Sequence, residues 1–476
     1  MKNLYIFIYS LLFFGVGISN AQYTVLHNFN GTKGKWPGGQ LTLVGNKLFG
    51  ITNWGGAYNH GVIFSIDTTG NGYRDLLDFN NTNGATPVGW LTNVGHKLYG
   101  ATSYGGANGQ GLIFSIDTDG NGFKDLFDCS LTNSQNPNGG LILSQNRLYG
   151  TSLQGGVSHY GNVFGIDTNG NGYKDILDFT GANGSSPDGG LTIIRNKIYG
   201  LADFDGANGY GVIYSVDTNG GGYMDMFDFI GPTGSTPAGE GSSAFSLLGN
   251  RLYGVVELGG AHNDGVIFSI DTNGSGYKDF FDFNGTNGKY PSDNSLFLLG
   301  NKWYGMVDGG GLNGYGLIFS IDTNGSGYKD LFDFNYLDGS GAVGAFTRVN
   351  NKWYGQTYSG GTDSDGVIFS FNDLSLGINE LPATYSGISL FPNPSNGLFQ
   401  LGIRNGQLGI NGTVEVYNML GKKIYSKQFF PEGSIRTTLH SQLSIDLSNN
   451  ANGIYLYRVT SNSGDLMGEG KLIIQK

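Results

Sequence analysis

The chain has 476 residues, of which 85 are glycine, 11 are proline and 13% are charged. Glycine at this frequency, together with 13% aromatic residues, excludes an acidic disordered chain and a coiled coil, and the lack of a strict three-residue glycine period excludes collagen. Residues 23–387 contain 17 basic and 32 acidic residues, a net charge of −15, so nucleic acid and anionic lipid are not expected as partners.

The first segment has the composition of a secretory signal peptide. Residues 1–21 begin with one cation, Lys2, continue with an apolar run from Leu4 to Ile18, and end in small residues that predict cleavage after Ala21. The run is too short to span a membrane, and no later segment reaches 18 apolar residues, so we expect export and no transmembrane segment. The single cysteine, Cys129, excludes an internal disulfide.

A repeat of about fifty residues organises residues 22–373. The phrases first seen at 46–50 and 61–67 each occur seven times, whereas the phrase first seen at 73–79 occurs six times. The missing copy of the third phrase lies at the other end, because residues 23–30 match residues 73–80 at the tyrosine, leucine, phenylalanine and asparagine positions. The two incomplete ends therefore add up to one complete repeat.

Each repeat has the pattern of four short antiparallel strands, first predicted at 41–44, 47–52, 61–67 and 73–79. Seven such units predict an all-β fold, a seven-bladed β-propeller closed by its N-terminal strand. That strand would supply the fourth strand of the last blade and leave neither end unpaired. The alternative architecture is an open solenoid, which would need terminal caps.

The surface that varies among the repeats is the best candidate for ligand recognition. All length changes fall between the fourth strand of one unit and the first strand of the next. Trp54, Tyr104 and Phe204 occupy one equivalent position after the second strand, and we also assign Trp36 and Trp90 to this rim. Aromatic faces beside Asn and Asp suit neutral sugars, so the sequence predicts a glycan or protein ligand here. The alternative is that these aromatics pack between blades.

One turn has the ligand spacing of a calcium loop. Asp117, Asp119, Asn121, Asp125 and Asp128 occupy positions 1, 3, 5, 9 and 12, with glycine at position 6. The competing interpretation needs no metal, because a tight turn between strands uses the same Asn and Gly residues. Strand alternation would also place Asp125 and Asp128 on opposite faces. Calcium remains the one cofactor that the sequence suggests.

Catalytic motifs are missing from the sequence. No metalloprotease, Cys-x-x-Cys, nucleophile-elbow or phosphate-loop pattern is present. The first strands, predicted to line a central channel, contain no carboxylate and no histidine, and Arg348 is their one titratable residue. We therefore expect no enzyme and assign no catalytic residue. The alternative is a secreted carbohydrate-active enzyme with acids on its loops, such as Asp203 with Asp205.

The repeat units are similar to a known family. The stretch Leu98–Phe114 reads Leu-Tyr-Gly-x-Thr-x-x-Gly-Gly followed by Gly-x-Ile-Phe, and it resembles the tandem GloVer repeats of choice-of-anchor proteins in environmental bacteria. Residues 23–29 also look like the strand that opens such arrays. The resemblance covers about 350 residues. It implies secretion and a propeller-like fold, and it implies no known reaction.

After a predicted linker at 374–387, residues 388–476 form a second module, for which Pro- and Gly-bounded alternating strands predict a small antiparallel β-sandwich. Its ordered motif residues are Pro392, Asn393, Pro394, Gly421, Lys422, Gly453 and Tyr455. They resemble the type A sorting domain of the type IX secretion system of Bacteroidota. This resemblance implies partners in the translocon and its sortase, and a location outside the cell or on its surface. The sequence thus predicts a secreted, non-catalytic binding or structural module.

Overall fold

The computed structural model describes residues 23–237, 244–291, 295–372, 388–391, 393–403, 412–418, 422–429, 443–461 and 466–476. Almost all regular structure in these ranges is strand, and the one helical element among them is a 3-10 turn at Gly231–Thr233. The expectation of an all-β chain is confirmed. The signal peptide with Ala21 and the linker at 374–387 lie outside the described residues. Contacts divide the chain into two units, Met1–Leu374 and Ser375–Lys476.

Within its described residues, the first unit contains seven antiparallel sheets, which we call blades 1 to 7 in chain order. The N-terminal strand is β1 (Tyr23–Asn28). Blade 1 contains β2 (Lys35–Val44), β3 (Lys47–Trp54), β4 (Val62–Asp67) and β5 (Arg74–Asp78). Blade 2 contains β6 (Ala85–Val94), β7 (Lys97–Tyr104), β8 (Leu112–Asp117) and β9 (Lys124–Asp128). Blade 3 contains β10 (Ser134–Pro137), β11 (Ile142–Ser144), β12 (Arg147–Gly155), β13 (Asn162–Asp167) and β14 (Lys174–Asp178).

The remaining blades repeat this order. Blade 4 contains β15 (Thr192–Ile194), β16 (Lys197–Ala202), β17 (Val212–Asp217) and β18 (Met224–Asp228). Blade 5 contains β19 (Ser246–Leu248), β20 (Arg251–Val256), β21 (Val266–Asp271) and β22 (Lys278–Asp282). Blade 6 contains β23 (Phe297–Leu299), β24 (Lys302–Val307), β25 (Leu317–Asp322) and β26 (Lys329–Asp333). Blade 7 contains β27 (Ser340–Val349), β28 (Lys352–Ser359) and β29 (Val367–Phe371), to which β1 is added.

Strand β1 takes the place of a fourth strand in blade 7, where the repeat pattern predicts it. It pairs antiparallel with β29, with Val25 opposite Phe369. Asn28 Oδ1 accepts a hydrogen bond from the amide of Thr362 at 3.0 Å. In every other blade an aspartate at the end of the fourth strand accepts the same bond. The acceptors and donors are Asp78 and Ala57, Asp128 and Ala107, Asp178 and Val157, Asp228 and Ala207, Asp282 and Ala261, and Asp333 and Leu312.

The apolar cores of this unit lie between blades. Seven clusters of buried side chains each join two consecutive blades. The seventh cluster joins Tyr354 and Ile368 of blade 7 to Leu41 and Leu48 of blade 1, with Phe29 directly after β1. Contacts therefore run from each blade to the next and from blade 7 back to blade 1, which is a propeller-like arrangement.

A glycine in the second strand of each blade makes this packing close. A Cβ atom added to Gly100 would lie 2.6 Å from Cζ of Phe114 on the neighbouring strand. The same contact recurs in the other blades and explains why these glycines keep a fixed place in the repeat. The equivalent pairs are Gly50 and Phe64, Gly150 and Phe164, Gly200 and Tyr214, Gly254 and Phe268, Gly305 and Phe319, and Gly355 and Phe369.

Gly100→Ala should lower the free energy of unfolding by about 1–3 kcal/mol, because the methyl group overpacks the core against Phe114. Urea unfolding followed by fluorescence measures this loss. Gly231→Ala is the matched control, since its added Cβ would lie 3.9 Å from the nearest atoms, those of Tyr210. Equal losses in the two variants would contradict the packing argument.

His27 makes the docking of β1 sensitive to acid. Its ring stacks on Tyr73 at 3.9 Å, and its Nε2 is buried without a hydrogen-bond partner among the described residues. Burial, with a smaller contribution from the charge of Lys33, lowers the pKa of His27 to about 4. Four other blades place a phenylalanine at this position, and each stacks on a tyrosine of the next blade. These residues are Phe127, Phe227, Phe281 and Phe332.

His27→Phe should stabilise the protein more at pH 5 than at pH 7.5. Because the folded pKa lies below the unfolded value of 6.5, the wild type loses stability as pH falls from 6.5 towards 4, and phenylalanine cannot take up that proton. Denaturant unfolding of both proteins at the two pH values measures the difference. His96→Gln, at a side chain that is 82% exposed, serves as the control. A gain independent of pH would contradict this interpretation.

The second unit is a two-layer sandwich in its described residues, as predicted. Its strands are β30 (Ile388–Phe391), β31 (Leu398–Ile403), β32 (Gly412–Asn418), β33 (Lys423–Phe429), β34 (Leu443–Asp446), β35 (Gly453–Ser461) and β36 (Leu466–Ile474). One sheet has the order β30-β31-β34 and the other β33-β32-β35-β36. Phe399 and Ile445 of the first sheet share a buried core with Val414, Val459 and Leu472 of the second.

Candidate functional site

The connections of the first unit alternate between two faces because consecutive strands are antiparallel. One face carries the connections between second and third strands and those between blades, and we call it the loop face. The other carries the tight turns within blades, and we call it the turn face. Every length change among the repeats falls on the loop face.

Exposed apolar side chains are concentrated on the loop face. Of fifteen exposed large hydrophobic side chains among the described residues of the first unit, twelve lie there. Such a concentration is typical of a binding surface. The twelve are Trp54, Tyr58, Tyr104, Leu131, Val157, Tyr160, Phe204, Tyr210, Ile230, Leu312, Tyr315 and Leu337.

Three of the aromatics predicted to bind ligand are exposed on this face, on three different blades. Trp54 is 37% exposed, Tyr104 53% and Phe204 51%. Trp36 is used in packing instead, because it stacks on Tyr358 of blade 7 at 5.3 Å and the Lys35 ammonium lies 4.4 Å from its ring. Trp36 therefore joins blade 1 to blade 7, and the predicted set is not one site.

Trp90 lies inside the ring of blades, and its assignment to the rim is wrong. A Cβ atom added to Gly140 would lie 2.1 Å from the Trp90 ring, and one added to Gly190 2.3 Å from it. The backbones of neighbouring blades come closest at this level, since a Cβ on Gly39 would lie 1.9 Å from the carbonyl oxygen of Gly89. The indole therefore extends along the inner ends of blades 3 and 4. The sequence did not predict this position of Trp90, because the first strand of blade 2 already begins at Ala85 and includes Trp90.

The junction of blades 3 and 4 brings aromatic rings and a carboxylate together. A Cβ atom added to Gly181 would lie 3.6 Å from the ring of Tyr160 and 3.9 Å from Oδ2 of Asp205. Phe204 precedes Asp205, and the backbone of Asp205 bridges to that of Tyr210. Tyr160 is 44% exposed and Tyr210 46%. Sequence reasoning singled out Phe204 and Asp205 separately but missed both tyrosines.

The turn predicted to hold calcium is closed by its own hydrogen bonds. Asp117 forms an ion pair with Lys97 at 2.8 Å, and Asp119 Oδ1 accepts a hydrogen bond from the amide of Asn121 at 2.9 Å. The bonds to Asn121 lower the pKa of Asp119. Within the described ranges, no three His, Cys, Asp or Glu side chains are grouped so that they could hold a metal ion. This geometry fits the tight-turn interpretation.

Asp125 and Asp128 do not join that turn, and the five-residue ligand set is not assembled. On β9, Asp125 lies opposite Phe114 and Asp128 lies opposite Leu112. Asp117 is the last residue of β8 and pairs with neither of them. The register shifts between Asp125 and its neighbours, and this bulge places both carboxylates on one face, where they hydrogen-bond. The expectation of opposite faces is therefore wrong, because alternation assumed a regular strand.

The fourth strands of blades 1 to 6 carry paired aspartates, and the pKa of the first aspartate of each pair is raised. Burial and the charge of Asp128 raise the pKa of Asp125 to about 6, and burial and Asp282 do the same for Asp279. The pKa values of Asp225 and Asp330 are raised to about 6 by the same causes. In each pair the second aspartate also accepts a hydrogen bond from a loop amide. This bond needs the second carboxylate in place, although the two carboxylates repel each other. These aspartates are structural.

Asp279→Asn should raise the melting temperature more at pH 7.5 than at pH 4.5. Because the folded pKa is raised, the stabilisation from proton uptake is complete below 3.8 and is lost as pH rises through about 6. Asparagine stays neutral and avoids the repulsion from Asp282. Thermal melts at both pH values measure this. Asp119→Asn, whose pKa is shifted downwards, is the control and should give no gain at pH 7.5.

Hydroxyl groups link the inner strands around the ring. Thr42 Oγ1 donates to the carbonyl oxygen of Leu91 in the next blade at 2.5 Å, and Thr192 donates to Phe245 at 3.0 Å. Three further hydroxyls repeat the bond, from Thr92 to Leu141, Ser246 to Leu296 and Thr347 to Leu41. The threonines of the inner strands are thus structural. One inner carboxylate was missed, Asp188, which accepts from Asn138 just before these strands.

A polar cavity of about 270 Å³ lies on the turn face between blades 3 and 4. Arg147 and Asp167 line it and form an ion pair at 2.9 Å, and Arg147 also donates to the carbonyl of Gly165 at 2.8 Å. Tyr149 and Thr218 complete its wall. The two charged side chains of its described lining, Arg147 and Asp167, thus pair with each other.

The sorting motif has a structural role in the second unit. The side chain of Asn393 accepts from the amide of Ile473 at 2.8 Å and donates to the carbonyl of Lys471 at 2.6 Å, so it holds the last strand. Tyr455 is buried and donates its hydroxyl to Ala451 at 2.8 Å.

The other sorting-motif residues occupy ordinary positions where they are described. Gly453 begins β35, Lys422 lies in the turn before β33, and Pro394 follows Asn393. Pro392 and Gly421 lie outside the described residues. Among the described residues no helix is long and apolar enough to cross a membrane.

Comparison with solved structures finds similar proteins at low identity. One is oligogalacturonate lyase from Vibrio parahaemolyticus, at 10% identity and a TM-score of 0.47 over 74% of this chain and 94% of that chain. Another is the β-propeller domain of the Trilobed protease from Pyrococcus furiosus, at 13% identity and a TM-score of 0.42 over 70% of this chain and 95% of that chain. No curated protein matches the sequence.

Two sequence families account for nearly the whole chain. The secretion system C-terminal sorting domain matches residues 389–475, and this identifies a secreted or cell-surface protein that engages the type IX secretion machinery. The Gloeobacter/Verrucomicrobia repeat matches residues 12–142, 126–244 and 240–408. The predicted resemblances are confirmed, and the chain belongs to the Gloeobacter/Verrucomicrobia repeat family.

Proposed function

We propose that this protein is a non-catalytic binding module whose loop face takes the ligand outside the cell. The observation that carries the proposal is the segregation of exposed apolar side chains, twelve of fifteen, onto one face of the first unit. That face also carries the insertions that distinguish the repeats. Export by the type IX system places it where extracellular ligands are available.

Acid–base catalysis has little support from the carboxylates of the loop face. General acid–base chemistry needs two titratable groups that reach one substrate. The aspartates that end the fourth strands accept hydrogen bonds from loop amides, as Asp78 does from Ala57 at 2.6 Å. Asp203 is only 4% exposed. A regular strand would place the carboxylates of Asp203 and Asp205 on one face, but Asp205 has a positive φ of 63° and is therefore not in extended strand conformation.

The secreted protein should be retained on at least one algal or plant polysaccharide and release no soluble sugar from it. Pull-down on insoluble polysaccharides and a reducing-sugar assay on the same samples make the two measurements. Release of sugar that is lost in Asp203→Asn or Asp205→Asn would overturn the proposal in favour of a carbohydrate-active enzyme. Failure to bind any polysaccharide would overturn the loop face as a glycan-binding surface.

A further inference from the structure

We propose that the junction of blades 3 and 4 is a binding site for neutral glycans, formed by Tyr160, Phe204 and Asp205. This inference rests on the proposed function, because it names the ligand class and the residues of the same face. Two exposed rings, those of Tyr160 and Phe204, supply apolar surfaces for the faces of sugar rings, and one carboxylate supplies an acceptor for their hydroxyl groups.

The side chains of Tyr160 and Asp205 converge on one turn, and Phe204 precedes Asp205 in the chain. The ring of Tyr160 and Oδ2 of Asp205 both lie within 4 Å of the Cβ position of Gly181, at 3.6 and 3.9 Å. Gly181 and Gly184 form that turn through reciprocal backbone hydrogen bonds of 3.1 Å. A glycine at position 181 leaves the space between the phenol and the carboxylate open, and a side chain there would fill it.

The backbone around Asp205 holds the site rigidly. The amide of Ser185 donates to the carbonyl of Phe204 at 2.9 Å, and the amide of Phe204 donates back at 3.3 Å. The amide of Gly211 donates to the carbonyl of Asp205 at 3.2 Å. Rings presented by hydrogen-bonded backbone need little ordering when a ligand binds, which favours affinity.

Asp205 occupies a position that the fold reserves for glycine. The other six blades have glycine there with φ between 74° and 87°, and Asp205 keeps a positive φ of 63°. A Cβ on the equivalent Gly55 would lie 2.5 Å from the carbonyl oxygen of Gly31, and one on Gly259 2.4 Å from that of Gly231. A strained non-glycine residue at a repeat glycine indicates a functional requirement in blade 4. The six glycines are Gly55, Gly105, Gly155, Gly259, Gly310 and Gly360.

The other junctions lack this combination. The residues equivalent to Tyr160 are His60, Gln110, Tyr210, Asp264, Tyr315 and Asp365. The residues equivalent to Phe204 are Trp54, Tyr104, Gln154, Leu258, Gly309 and Ser359. Only the junction of blades 3 and 4 combines an aromatic residue at the Tyr160 position of one blade with an aromatic residue and a following carboxylate at the Phe204 and Asp205 positions of the next blade. This asymmetry selects one junction of seven.

Charge selects a neutral ligand. Residues 23–387 have a net charge of −15, and Asp205 adds a negative charge at the junction itself. An acidic polysaccharide would be repelled by both. A neutral polysaccharide has hydroxyl groups that donate to a carboxylate and apolar ring faces that stack on aromatic side chains.

Isothermal titration of the full-length secreted protein with neutral cello-, xylo-, manno- and laminari-oligosaccharides tests the inference, with oligogalacturonate as the charged comparison. We expect binding to a neutral oligosaccharide. Tyr160→Ala and Phe204→Ala should each raise its Kd on the order of tenfold. Tyr58→Ala, at a side chain that is 60% exposed on blade 1, is the control and should change Kd by less than about twofold.

Asp205→Gly separates binding from folding. It restores the residue that the other blades use, so the melting temperature should rise while Kd for the neutral oligosaccharide rises on the order of tenfold. Unchanged Kd in the three junction variants would overturn this site and leave the proposed function standing. Preference for oligogalacturonate, or no binding to neutral oligosaccharides by a wild type that is still retained on a polysaccharide, would overturn the ligand class. Sugar release would overturn the proposed function itself, and no retention on any polysaccharide would overturn the loop face as a glycan-binding surface.

Discussion

Every apolar core in the described first unit lies between two blades, so a blade cannot bury its surface without both neighbours. A short four-stranded sheet has too little apolar area to be stable alone, and shared cores solve this by stacking repeats. An open stack would leave two apolar faces in water. The cluster that joins Tyr354 of blade 7 to Leu41 of blade 1 removes both of them.

Much of this arrangement could be predicted from the sequence because the packing imposes fixed spacings. The repeat glycine meets an aromatic ring of the adjacent strand, so neither can move without losing the core. The N-terminal strand could be placed because Tyr23, Leu26 and Phe29 repeat the pattern of the fourth strands. The failures have local causes: a bulge put Asp125 and Asp128 on one face, and long first strands carried Trp90 inwards.

The candidate site was harder to predict because the residue types that suggest chemistry also build the repeat. Aspartates at the ends of the fourth strands look like acids or metal ligands, yet they cap loop amides in six blades, and asparagine does so in the seventh. The informative signal is a departure from the repeat. Asp205 stands where six other copies have glycine, and this difference is visible in the sequence once the units are aligned.

The pairing of β1 with β29 also determines when the first unit can complete its fold. Val25 and Phe369 are partners, although nearly the entire repeat array separates them in the chain. Contacts this distant in sequence make folding slow. A chain that is threaded across the cell envelope from one end must therefore deliver both β1 and β29 before blade 7 is complete.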